Sequence, residues 1–329
     1  MTQRTMCIEH RIFPIRGVFR ISRGAKTEAH TVEVTIREGA VIGRGECVPY
    51  AHYGETVASV LAELQRVRDD VEAGMDLTAL QAALPPGSAR NAVDCALWDL
   101  RSRLTGVPVA TYANLPGPLQ PVTTAFTISL DTPEVMARQA LACGDMPLLK
   151  LKLGGDGDDA RVRAVRQAMP SARIIADANE SWTVGHLHAY LREFAALGVE
   201  LLEQPLPAGA DEALRMFASP VPLAADESCR DERSIPSLVG KYAFANLKLD
   251  KAGGLTEALR MAATARAAGL RVMVGCMVGS SLSMAPGIVL AQFAEMVHLD
   301  GPLLLAHDAE PGYRYEGATL RPDAGVWSC

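Results

Sequence analysis

Apolar and polar positions follow two different rhythms along the chain. From Thr31 to Val48, "TVEVTIREGAVIGRGECV" alternates apolar and polar residues, breaks at Glu38–Gly39 and resumes, which predicts a β-hairpin. "ETVASVLAELQRVRDDVEAG" then repeats apolar residues at helical spacing up to a Gly stop. "SARNAVDCALWDLRSRLTG" opens on Ser88 as a candidate N-cap and ends the same way. A Pro- and Gly-rich passage, "TYANLPGPLQP", marks a boundary near residue 118. Residues 1–118 therefore read as an α+β domain.

Beyond that boundary short apolar strands recur: "VTTAFTISL", "LLKLKL", "RIIADAN", "VELLEQP", "PLAADES", "ANLKLDK", "RVMVGCM" and "MVHLDGP". Helical stretches such as "TPEVMARQALACG", "DDARVRAVRQAMP" and "GGLTEALRMAATARAAGL" fill the gaps. Alternating strand and helix implies parallel pairing through crossovers. Eight such strands over residues 119–306 fit an α/β barrel better than an open sheet. No Gly-x-Gly-x-x-Gly follows the first strand, so a dinucleotide-binding doubly wound sheet lacks support. Residues 307–329 are loop-like and are expected to return over the first domain.

Composition narrows the function classes. A chain of 329 residues has room for a large barrel with an appended domain, and 49% hydrophobic with 21% charged residues is ordinary for a globular protein. The net charge of −6, without a cluster of Lys and Arg, argues against a nucleic-acid surface. No run of about 18 apolar residues predicts a membrane span, and the first residues lack the apolar stretch of a secretory signal. Seven cysteines without Cys-x-x-Cys spacing suggest reduced thiols in a cytoplasmic protein, not a disulfide framework or a zinc site.

The charges fall where a barrel enzyme would want them. Active sites of such barrels sit at the C-terminal ends of the strands. Asp177 closes "IIAD", Glu203 closes "ELLE", Asp226 closes "PLAAD", and Lys248 lies near the end of "ANLK", at separations of 26, 23 and 22 residues. Each separation is close to one strand-plus-helix unit. In the preceding strand Lys150 and Lys152 interrupt an apolar run, and strand alternation points both to one side. A lone Asp after a strand is commonly a cap or turn residue. Charges recurring at equivalent ends of five consecutive strands are not explained that way.

Three carboxylates converging on one space repel one another and raise each other's pKa unless a cation intervenes. Oxygen-only ligation with open positions suits Mg²⁺, and the absence of His and Cys from the set argues against zinc. Beside such a cation and a second ammonium, a lysine's charged form is disfavoured, so its pKa is expected to fall towards neutrality. Lys152 and Lys248, from roughly opposite sides, would then be two bases facing one substrate carbon. The metal would bind a substrate carboxylate and stabilise the enediolate formed when the adjacent C–H loses its proton. Removal on one face and return on the other is racemisation or epimerisation.

In order, the motifs "KLK" (150–152), "DAN" (177–179), "EQP" (203–205), "DES" (226–228) and "NLKLDKAGG" (246–254) resemble those of the enolase superfamily, in its muconate-lactonizing-enzyme branch. The resemblance spans the whole chain. It implies a modified TIM barrel, (β/α)7β, with an N-terminal α+β capping domain and a C-terminal segment returning to the cap. It also implies Mg²⁺ on Asp177, Glu203 and Asp226, acid/base roles for Lys152 and Lys248, and an auxiliary role for Lys150. Asn179 and Glu227 would support the metal site from behind. Lys251 lies beyond the strand end and stays outside this set.

Within the branch, "FRISRGAKTEAH", "GECVPYAHYGE" and "ARNAVDCALWDL" resemble the cap of dipeptide epimerases, those acting on L-Ala-D/L-Glu above all. The first two stretches would be mobile loops over the barrel mouth, with Arg23 and Lys26 as partners for a glutamyl carboxylate. One departure stands out. Dipeptide epimerases carry Asp-x-Asp on the last barrel strand to hold the substrate's α-ammonium, and here the stretch is His298–Leu299–Asp300. Two substrate classes therefore stay open, a dipeptide and an N-acylamino acid. The same metal and lysines would serve an N-acylamino-acid racemase, an o-succinylbenzoate synthase or a cycloisomerase, and a non-catalytic binding barrel is the reading from another class. The resemblance also implies a homo-oligomer; a murein-peptide recycling role follows if the substrate is L-Ala-D-Glu.

Overall fold

The computed structural model describes residues 4–328. The cap opens with β1 (Arg4–Ile21) and β2 (Gly24–Glu38), and β3 (Val41–Cys47) completes a three-stranded antiparallel sheet. The expected hairpin is the β2–β3 pair, turning at Gly39 with φ +61°. "FRISRGAKTEAH" is not a loop: it is the far end of a second hairpin, β1–β2, whose tip lies at Ser22–Arg23. That arm reaches the barrel, where Leu130 N donates to Arg20 O at 3.0 Å and the Ser22 hydroxyl to Asn179 O at 3.1 Å.

Three helices cover the sheet: α1 (Val57–Glu72), α2 (Leu77–Ala83) and α3 (Ser88–Thr105). Thr56 and Ser59 cap α1 reciprocally, each side chain accepting from the other's backbone N–H. The expected N-cap of α3 is corrected: Gly87 occupies the cap, and Ser88 is the first helical residue. The Ser88 hydroxyl instead donates to Glu55 Oε2 and Val48 O, fastening the loop that follows β3. Helix α3 lies almost on β3. A Cβ on Gly43 would stand 2.3 Å from Ala96 O, and one on Gly45 2.2 Å from Ala92 O, so only glycine permits the approach.

After a short strand β4 (Val122–Thr123), eight parallel strands run in sequence order: β5 (Phe126–Ile128), β6 (Leu148–Lys152), β7 (Arg173–Asp177), β8 (Val199–Glu203), β9 (Leu223–Ala225), β10 (Phe244–Leu247), β11 (Arg271–Val274) and β12 (Met296–Val297). Ala125 N donates to Val297 O at 2.9 Å and closes the curl. One buried residue per strand position, Ala125, Leu148, Ile175, Leu201, Ala224, Phe244, Met273 and Met296, packs into a single interior layer. Truncating Ile175 or Leu201 to Ala in that layer would cost about 2–5 kcal/mol.

Helices Pro133–Ala142, Asp158–Ala168, Val184–Ala196, Leu255–Ala267 and Ser281–Ala291 form the outer wall. One gap differs from expectation. Between β8 and β9 stands only the 3-10 turn Glu212–Met216, because Pro205, Pro207, Pro220 and Pro222 leave little room for a regular helix. Near the C-terminus β13 (Tyr315–Glu316) and β14 (Thr319–Leu320) pair with β4. The chain then crosses to the cap, where Trp327 Nε1 donates to Arg44 O at 2.9 Å and Ser328 N to Asp99 Oδ1 at 2.8 Å. Six cysteines are free; Cys329 lies outside the described residues. Among the described residues no helix is long and apolar enough to cross a membrane.

Candidate active site

The barrel brings the strand-end charges together. One oxygen each from Asp177, Glu203 and Asp226 lies within 4.8 Å of the others, and all three side chains are buried. Lys150 and Lys152 do point to one side, and β6 is an interior strand of the barrel, not a solvated edge. Lys152 Nζ donates to Asp177 Oδ2 at 2.6 Å, and Lys150 Nζ lies 2.7 Å from Glu203 Oε2 and 3.1 Å from Asp177 Oδ2. Lys248 Nζ donates to Asp226 Oδ2 at 2.6 Å. Since β6 and β10 are the second and sixth of eight strands, Lys152 and Lys248 face each other across the rim.

Left-handed backbone marks where these strands end. Asn179 (φ +43°), Glu180 (φ +66°) and Gln204 (φ +35°) all adopt conformations that non-glycine residues avoid. Each follows within three residues of a rim acid, where the chain must turn while the acid keeps facing inwards.

Expected pKa directions are partly reversed. Glu203 is raised, by burial and then by Asp177. Asp177 and Asp226 go down instead: burial works against their charge, but Lys152 and Lys150 outweigh it for the first, and Lys248 and Lys251 for the second. The lysines themselves are the intervening cations. Of the three catalytic candidates only Lys152 is lowered, by burial, with Lys150 adding repulsion against the pull of Asp177. Lys150 and Lys248 are raised, because Glu203 and Asp177 for one, and Asp226 and Glu203 for the other, outweigh burial.

The donor set fits a divalent cation of the oxygen-seeking kind. It comprises three buried carboxylates from three adjacent strands, with no His or Cys among them. Asn246 Nδ2 donates to Glu203 Oε1 at 2.9 Å and orients it.

Against Asp226, Lys152 and Lys248 lies a cleft of about 950 Å³, lined from both domains. Arg23 reaches it from the hairpin tip, but its guanidinium is already taken: it donates to Glu227 Oε1 at 2.7 Å, Asn179 O at 2.9 Å and Glu180 Oε2 at 3.1 Å. Glu227 is pushed up to about 7 by burial and by Asp226, with Arg23 opposing. Asn179 N donates to Asp177 Oδ1 at 2.9 Å, which ties this residue directly to a rim acid. Lys26 also lines the cleft, its Nζ 5.3 Å from the centre of the Tyr50 ring, with no carboxylate partner among the described residues. Burial lowers its pKa.

His298 is built into the wall. Its Nε2 lies 2.9 Å from Asp300 Oδ1 and 2.8 Å from Thr127 Oγ1, and Lys150 Nζ is 3.4 Å from its Nδ1. Burial, aided by Lys150, outweighs Asp300 and pushes the imidazole down to about 4, so the ring is neutral at pH 7. A neutral ring donating through Nε2 to Asp300 accepts at Nδ1, where Lys150 stands. Asp300, lowered despite its burial by His298 and Thr127, remains a carboxylate.

Sequence reasoning passed over Lys251. Its Nζ donates to Asp226 Oδ1 at 2.6 Å and to Asp226 O at 2.5 Å. A usable signal existed: Lys248 caps the short helix Leu249–Ala252, and residues three apart on a helical turn share a side. Gln204 and Asn246 were likewise missed, since a neutral amide carries no sequence mark of its role.

This capped barrel, with its acids and opposed lysines, defines a class. Residues 3–112 match the mandelate racemase / muconate lactonizing enzyme N-terminal domain, and residues 135–324 match the enolase C-terminal domain-like family. The chain belongs to the mandelate racemase / muconate lactonizing enzyme family of the enolase superfamily. It is 43% identical to the L-Ala-D/L-Glu epimerase of Escherichia coli (strain K12), over 96% of this chain and 99% of that one. It is 42% identical to the N-acetyl-D-glutamate racemase of a Pseudoalteromonas species, over 88% and 92% of the two chains. A crystal structure of an enolase family member from Agrobacterium tumefaciens, with bound sodium and L-Ala-L-Glu, superposes with a TM-score of 0.96 at 47% identity, covering 98% of this chain and 99% of that one.

Proposed function

We propose that the chain is a Mg²⁺-dependent dipeptide epimerase that inverts the α-carbon of the C-terminal residue of L-Ala-L-Glu or L-Ala-D-Glu. The observation that carries the reading is the pair Lys152 and Lys248 on opposite walls, each 2.6 Å from a different acid of one buried trio. Asp177, Glu203 and Asp226 would hold the cation, which when bound polarises the substrate carboxylate and offsets the charge developing as the adjacent C–H is deprotonated.

The protein's own groups do the proton work. Lys152, its pKa lowered, is suited to take the α-proton on one face. Lys248, its pKa raised while Asp226 is its partner, is suited to deliver one on the other. The roles exchange with reaction direction. Lys150 stays charged and steadies Glu203 and Asp177. Asp300 is the carboxylate for the substrate's α-ammonium, and Asn179 and Glu227 support the rim. Lys26, without a carboxylate partner among the described residues, is the cation for the glutamyl side chain, with Arg23 also in the cleft. If the substrate is L-Ala-D-Glu, the setting is murein-peptide recycling; family analogy adds a homo-oligomer, and the scattered cysteines a cytoplasmic location.

One observation favours a second reading. His298 leaves one carboxylate where a dipeptide's ammonium would meet two, and an N-acetyl-D-glutamate racemase is among the relatives. Proton NMR in D₂O of the Mg²⁺-loaded protein with L-Ala-L-Glu and with N-acetyl-L-glutamate separates the two. Loss of the glutamyl α-proton signal with L-Ala-D-Glu peaks appearing is expected. Exchange of the N-acetyl compound alone would move the assignment to the second reading, and exchange of neither would refute both.

A further inference from the structure

Asp226 follows a thinly supported strand of the barrel. β9 has three residues, and its flanking crossovers are the 3-10 turn Glu212–Met216 and a four-residue helix, Ile235–Leu238, after a second short turn. Asp177 and Glu203, by contrast, end five-residue strands. A cation ligand needs its oxygen held to a fraction of an ångström, so something other than regular secondary structure must hold this one.

Gln204 stands directly beneath it. The side chain is fully buried, and its Oε1 accepts from Asp226 N at 2.9 Å and from Ser228 N at 3.1 Å. The other end of the amide is anchored: Nε2 faces Leu206 O at 2.8 Å, Ser228 Oγ at 2.9 Å and Tyr242 OH at 3.0 Å. Since Leu206 O can only accept, the amide has one orientation, with Oε1 towards Asp226. Behind it Tyr242 OH and Ser228 Oγ both donate to Asp211 Oδ2 at 2.7 Å, and Lys241 Nζ donates to Asp211 Oδ1 at 2.6 Å. From the opposite side Lys251 grips Asp226 O and Oδ1, leaving Oδ2 to face the rim. The left-handed backbone at Gln204 swings the amide under the neighbouring strand, and this set of bonds sustains it.

We propose that Gln204, backed by Tyr242 and Asp211 and opposed by Lys251, is a positioning residue that sets Asp226 for the cation. The proposal rests on the reading of Asp226 as a cation ligand. Gln204→Met removes the amide without changing charge. Calorimetric titration of the substrate-free full chain with Mg²⁺ should show its Kd weakened by about 10–100-fold. Turnover should recover at high Mg²⁺, and the circular dichroism spectrum should match wild type. Tyr242→Phe, which loosens the anchor without touching Asp226, should weaken Kd in the same direction by a smaller factor, and it decides the matter if Gln204→Met does not fold. Mg²⁺ binding as tight as wild type in Tyr242→Phe, or in a folded Gln204→Met, overturns the proposal. Wild type failing to bind Mg²⁺ would refute the cation reading itself, and this inference with it.

Discussion

Two regions of the molecule bury carboxylates equally deeply and treat them in opposite ways. At the barrel rim Asp177 and Asp226 sit against lysines and are held well below their usual range. At the seam between cap and barrel, Glu46 accepts from Ser280 N at 2.9 Å and Ser280 Oγ at 2.6 Å, and Asp250 accepts from Val48 N and Asn91 Nδ2, both at 2.9 Å. Those partners are neutral, and burial pushes both acids up to about 7. Burial alone therefore does not decide protonation; the balance of nearby charges does, and Glu203, close to Lys150 but also to Asp177, still goes up. At the rim the lysines keep Asp177 and Asp226 ionised, whereas the seam joins the domains with acids pushed up towards neutrality.

Removing a rim lysine should have the largest effect, because it converts part of the rim into seam. Lys152→Ala and Lys248→Ala should each lower epimerisation by about 10²–10⁴-fold. In D₂O each variant should still exchange the α-proton of one epimer only, and a different one. Exchange of both epimers by both variants would sink the two-base assignment.

Cation loading should act on the rim and leave the seam alone. Free Mg²⁺ at about a thousand times Kd should stabilise the fold by about 4 kcal/mol, read as a rise in melting temperature. Asp177→Asn should abolish that rise and Glu46→Gln should keep it. A rise that survives in Asp177→Asn would place the ion elsewhere.

The seam should show its own pH dependence. Glu46 goes from an ordinary 4.5 to about 7 on folding, so between those values the folded chain keeps a proton that the unfolded chain has released. Stability therefore falls as pH rises from about 4.5 to about 7, by up to about 3 kcal/mol for this group. The depressed rim acids have the opposite sign, losing stability only as pH falls below 3.8. Melting curves of Glu46→Gln should lose part of the decline between pH 5 and 7; an unchanged decline would acquit this group.

The smallest effect concerns Lys26, a cleft cation with no carboxylate partner among the described residues. Lys26→Ala should raise KM for L-Ala-L-Glu by roughly tenfold, as expected for one charge-assisted hydrogen bond, with little change in kcat. A fall in kcat with KM unmoved would remove Lys26 from side-chain recognition.

The order of strands and the rim acids were legible because both follow from periodicity and from chain position. A barrel repeats strand and helix, and its rim is wherever the strands end, so Asp177, Glu203, Asp226 and Lys248 announce themselves at near-equal spacing. Pro-rich "QPLPAG" hid the missing helix before β9, since alternation elsewhere suggested that every gap was alike. Ser88 misled as a cap because its hydroxyl has a better partner in Glu55, remote in sequence. Arg23 looked like a free recognition cation, yet Glu227, 204 residues away, already occupies it.

What the sequence by itself determined is the list of chemistry-bearing groups and the face each strand presents, since alternation and strand length are local properties. Only the tertiary structure decided which lysine meets which acid, and with that the direction of every pKa. Lys152 and Lys248 are the same residue type at comparable strand ends, yet one is lowered and the other raised. The reason is Coulombic: protonation depends on distances of a few ångströms between groups tens of residues apart, and those distances exist only once the barrel closes.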